Sequence, residues 1–82
     1  MLGPMPRTQV FTEKELSAVA KEYRIAAGKN RSQAARELGV ARPSLIHAED
    51  YPEKPFVKLR KRIIEQYSRY KVVGPLYRLE KK

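Results

Sequence analysis

The chain has no cysteine, one histidine and four glycines, no two of them adjacent. Without cysteine there is no disulfide framework and no thiolate metal site, which fits a reducing compartment. His47 has too few partners for a metal, so neither metal nor cofactor is expected. The isolated glycines form no phosphate-cradling loop. Apolar runs are only a few residues long, too short to span a membrane. Met1 to Pro6 carries no basic or long apolar region, so it does not read as a signal peptide. Acids are scarce, nine against eighteen Lys and Arg. A catalytic carboxylate pair would have to come from Glu49, Asp50 and Glu53, which read instead as solvated charges at a helix end and loop. An enzyme is not expected.

What is present is positive charge. Eighty-two residues carry a net charge of +9, which implies a polyanionic partner, nucleic acid before an anionic membrane surface. A chain of this size is one domain that buries only about 60–65% of its unfolded surface, so it is marginally stable. No small-molecule ligand is expected, and the expected compartment is the cytoplasm, with the nucleoid as one location there.

Residues 1–10 hold Gly3, Pro4 and Pro6 and read as a flexible arm. Phe11-Thr12-Glu13-Lys14-Glu15-Leu16 is a helix start: Thr12 and Glu15 can cap each other's backbone, and Phe11 can pack on Leu16. Leu16, Val19, Ala20, Tyr23 and Ala27 recur at three- and four-residue steps and predict one buried face, closed by Gly28. Asn30 with Gln33, or Ser32 alone, can cap a second helix over about 32–38. Gly39 stops it, Val40 reads as a buried plug, and a third helix runs over about 42–50 with Pro43 in its first turn. Ala41 is a weak cap for that helix. Pro52 ends it.

Pro55 is expected to open a fourth helix as its first residue. Phe56, Leu59, Ile63 and Tyr67 form its apolar stripe, with Lys58, Arg60, Lys61 and Arg62 decorating the rest. From Tyr70 onward β-branched and aromatic residues dominate. Val73-Gly74-Pro75-Leu76 reads either as a two-residue type II′ hairpin turn or as a kink in one edge strand. The expected fold is mainly α: four to five helices with a short C-terminal strand or hairpin. Residues 11–68 would be the binding domain and 69–82 a β tail for dimerisation.

The stretch Ser32 to Glu49 has the form of a DNA-binding helix-turn-helix, two short helices around a glycine turn. Gln33, Ala35, Leu38-Gly39-Val40, Arg42-Pro43-Ser44, Leu45, Glu49 and Pro55 together resemble the Cro/repressor (xenobiotic-response-element) family of prokaryotic and phage regulators. Asp50-Tyr51 stands where that family has Asn-Gly. The run from Gly28 to Leu45 is also similar to Fis-type domains, but those usually end soon after the recognition helix. The Cro resemblance implies a repressor acting as a homodimer on a palindromic operator in double-stranded DNA. The alternatives are a Fis-type architectural factor, an antitoxin-like interaction module and a basic RNA-binding protein.

Five outward positions of the third helix are the candidate base contacts. Arg42 suits guanine O6 and N7, Ile46 a thymine methyl, and Pro43, Ser44 and His47 lie beside them. Arg42 suits a phosphate nearly as well, and Ile46 a core or dimer contact. The resemblance places Gln33 against a phosphate at the start of the second helix, where an anion is also favoured physically. Lys29, Arg31, Ser32, Arg36, Lys54 and Lys58 are further phosphate candidates. Tyr70, Val72, Val73, Leu76, Tyr77 and Leu79 are the candidate dimer interface, because an exposed apolar edge strand invites pairing. Folding of the tail onto its own helices is the alternative.

Overall fold

The computed structural model describes residues 10–74 and 77–82. The proposed arm up to residue 9, and Leu76 of the proposed interface, lie outside the described residues. The order of elements is β1 (Val10–Phe11), α1 (Glu13–Ala26), α2 (Arg31–Leu38), α3 (Arg42–Asp50), α4 (Val57–Tyr67), β2 (Tyr70–Val73) and β3 (Tyr77–Lys81). The chain is mainly helical with a C-terminal antiparallel hairpin, as expected, and β1 is an addition.

Local signals set the helix starts. The Thr12 hydroxyl accepts the Glu15 N–H at 3.2 Å, and the Glu15 carboxylate accepts the Thr12 N–H at 2.8 Å. Asn30, not Ser32, caps α2, and Gln33 closes the reciprocal box. Gly39 ends α2 at φ +70°, where a side chain would be strained. Pro55 does not open α4: Phe56 is its N-cap and Val57 its first residue.

Helix α1 crosses α4, and α2 and α3 pack beside them. The core holds Leu16, Val19, Ala20, Ala34, Leu38, Leu45, Ala48, Leu59, Ile63 and Ile64. Val40 is half-buried against it. Ala27 is exposed; Arg24, one turn after Ala20, takes the buried position instead.

The sheet has the order β1-β3-β2, all antiparallel. Val10 pairs with Arg78 and Phe11 with Tyr77, so Val10 belongs to the folded domain and not to an arm. Val73 pairs with Arg78, which leaves four residues between them; a two-residue II′ turn would pair Val73 with Leu76. Gly74 also lies outside the left-handed region that a II′ turn needs at its first corner.

Val72 and Leu79 face each other across the hairpin, and both are buried in the chain's own core. Tyr70 and Tyr77 pack against that core, and Val73 is half-buried. These residues were expected at a dimer interface. The tail instead folds onto its own helices, because burying Val72 and Leu79 there completes a core too small without them. The outward N–H groups of β2 are also engaged. Tyr70 N–H donates to the Ser68 hydroxyl at 3.1 Å, and Val72 N–H to the Glu65 carboxylate at 3.0 Å. Side chains thus occupy donors that a second strand would need.

Candidate nucleic-acid interface

Three residues, Gly39 to Ala41, join α2 to α3. Leu45 and Ala48 anchor α3 in the core with no exposed surface. The opposite face carries Arg42 and Pro43, both exposed, while Ser44 and Ile46 are half-buried. Ala41 makes no side-chain cap; Pro43 in the first turn supplies the helical φ instead.

Buried ions fix how the two helices sit. The Arg24 guanidinium grips Glu49 through two bonds of 2.6 and 2.9 Å, and a third bond of 2.8 Å reaches the Lys29 carbonyl. Arg31 reaches Glu49 at 3.3 Å and Asp50 at 2.6 Å, and Lys21 reaches Asp50 at 3.2 Å. The start of α2, the end of α3 and helix α1 are therefore tied together. Burial opposes ionisation of Asp50, yet the bonds from Lys21 and Arg31 hold its carboxyl below its ordinary pKa. Glu49, expected to be a solvated charge, is buried. The expectation failed because both of its arginine partners are distant in sequence.

Helix α4 supplies the other restraint. Pro52 has no N–H for the Ala48 carbonyl four residues before it. Arg60 fills that gap: its Nε donates to the Ala48 carbonyl at 2.8 Å and its Nη2 to the Tyr51 and Lys54 carbonyls, both at 2.9 Å. Arg60 is fully buried with no carboxylate bonded to it, and this burial lowers its pKa. Two residues on, Arg62 donates to the Leu38 carbonyl at the end of α2. So one helix caps both halves of the motif. Arg24 and Arg60 were missed as structural residues, although each lies four residues from a buried position, Ala20 and Ile64. A charge on an apolar stripe was the available signal.

The expected contact residues divide. Arg36, Arg42, Ser32 and Lys58 are exposed and, among the described residues, make no side-chain hydrogen bond or ion pair. Ser44 and Lys58 line one groove, so the start of α4 stands beside the start of α3. Gln33 is exposed, but its carbonyl oxygen is used in the α2 cap. Lys29 is paired with Glu37 at 2.8 Å, and Arg31 with the two acids above. Lys54 lies 5.5 Å over the Tyr51 ring. His47 is half-buried, its ring edge-on to Tyr51 at 5.2 Å and tilted to Phe56 at 5.8 Å. Lys29, Arg31 and His47 thus have internal roles that sequence spacing did not reveal.

Among the described residues no cluster of His, Cys or acids could hold a metal, and no helix is long and apolar enough to cross a membrane. Comparison of the chain with protein-family models, curated proteins and solved structures finds no match.

Proposed function

We propose that the protein is a sequence-specific regulator that binds double-stranded DNA with α3 in the major groove. The observation that carries this reading is the pairing of α2 and α3 across Gly39, with Arg42-Pro43-Ser44 at the outer end of α3. An α-helix fits the major groove, and residues at the start of a recognition helix are those that reach base edges. Arg42 is assigned to guanine, and Arg36, Ser32 and Lys58 to phosphates. The net charge of +9 supplies sequence-independent attraction.

Repression would follow from occupying a site. A palindromic operator would bring two copies together through a face other than the buried Val72 and Leu79 pair.

Selection of bound duplexes from a random pool at about 0.2 M salt tests this, because specific binding exceeds non-specific by ~10³-fold or more. A defined consensus is expected, and its symmetry reports the number of copies bound. Enrichment of no sequence would sink the reading and leave an architectural role.

A further inference from the structure

Beside the start of α3 lies an open groove of about 690 Å³. Its floor is apolar, formed by Val40, Phe56, Val57 and Leu59, and its cationic residues are Lys58 and Arg62. No carboxylate lines it. We propose that this groove docks an acidic amphipathic peptide segment of a partner protein, with apolar anchors on the floor and carboxylates against Lys58 and Arg62.

The floor and the cations together select this occupant. A DNA backbone would use the cations but gain nothing from four apolar side chains. A neutral apolar ligand would use the floor alone. A peptide that alternates apolar and acidic residues satisfies both, in the manner of a helix laid in a groove. A second copy of this chain is a poor source of such a segment. Of its nine acids, Glu15, Glu37, Glu49, Asp50, Glu65 and Glu80 already bond within the chain. The remaining three, Glu13, Glu22 and Glu53, are scattered along the sequence.

Ala41 and Ser44 form one wall of the groove, so an occupant sits against the end of α3 assigned to DNA. Peptide and duplex should therefore compete. This last step rests on the DNA-binding reading, whereas peptide docking is measured without DNA.

The test is selection of twelve-residue peptides from a random display library on the full chain, followed by fluorescence anisotropy of the enriched peptide. Enriched sequences should combine Leu, Phe or Trp with Asp or Glu. Amide shifts on binding should fall in 40–44 and 56–62. Lys58→Glu should weaken binding about tenfold. Lys14→Glu, an equal charge change outside the groove lining, should alter it about twofold or less. Peptides without acids, shifts on another face, or equal loss in the two variants would overturn the proposal. So would failure to enrich any peptide, whatever Lys58→Glu does to duplex binding. A bound peptide that does not displace duplex DNA overturns the competition alone.

Discussion

The guanidinium of Arg60 donates to the Ala48 carbonyl at 2.8 Å, at the position where Pro52 cannot. One buried side chain thereby closes the end of α3 and, through the Tyr51 and Lys54 carbonyls, holds the loop that follows. Arg60→Ala leaves the Ala48 carbonyl without its donor, while the Tyr51 and Lys54 carbonyls keep only the backbone N–H groups of Lys54 and Phe56, and it should cost about 3 kcal/mol. For a domain of this size that corresponds to a fall in Tm of roughly 12–24 °C. Arg60→Lys, with one compact donor group, cannot serve all three carbonyls and should lie between. Thermal melts followed by circular dichroism check this; unchanged Tm in Arg60→Ala would contradict it.

The Arg24–Glu49 pair makes a second stability prediction. Glu49→Gln removes the negative charge that two arginines share and should cost about 3 kcal/mol, because it strands a buried cation. Replacing both partners, Arg24→Met with Glu49→Met, should cost less than either single change, since no unpaired charge remains. Urea unfolding measures this double-mutant cycle. Additive losses would show that the pair is not coupled.

The pH dependence has a predicted direction at each end. The folded pKa of Asp50 is lowered, so its contribution is complete above about pH 4 and lost as pH falls through the folded value. The stability difference between wild type and Asp50→Asn should shrink on acidification. At the other end, burial and its bond to Glu37 push the Tyr67 phenol up to about 12. A raised pKa stabilises fully below about 10, and that contribution is lost as pH rises through the folded value. Burial also raises the Tyr23 phenol, so absorbance at alkaline pH should show late-titrating tyrosines, and Tyr67→Phe should remove the Tyr67 component.

Those ion pairs mark the boundary of what is legible in the chain. Capping boxes at Thr12 and Asn30, and the stop at Gly39, involve residues at most three positions apart or one backbone angle. They can be read directly. The helix-turn-helix pattern is equally local. The Arg24–Glu49 pair spans 25 positions and the Arg60 bond to Ala48 spans 12, so nothing local tells these charges from solvated ones. The pairing of Phe11 with Tyr77 was hidden for the same reason, in a strand only two residues long. The same distance effect blurred the candidate site: Arg42 and Lys58 stay outward, whereas Lys29 and Arg31 meet acids.

The hairpin is part of the core, so it cannot be removed to isolate a folded monomer. Leu79 is fully buried against the helices and pairs with buried Val72. Leu79→Ala should cost about 2–5 kcal/mol, a large share of a small domain's total stability. Deleting residues 70–82 should abolish cooperative unfolding. A truncated chain that melts sharply would show that the tail is an appendage.

Arg42 at the start of α3 is proposed to read guanine in the major groove. Methylation interference on the selected duplex tests it most directly, because dimethyl sulfate modifies guanine N7 there. Methylation at one guanine should block binding of the wild-type chain, and Arg42→Ala should be indifferent to that same methyl group. Interference confined to adenines in the minor groove, or an Arg42→Ala chain blocked like the wild type, would contradict the claim.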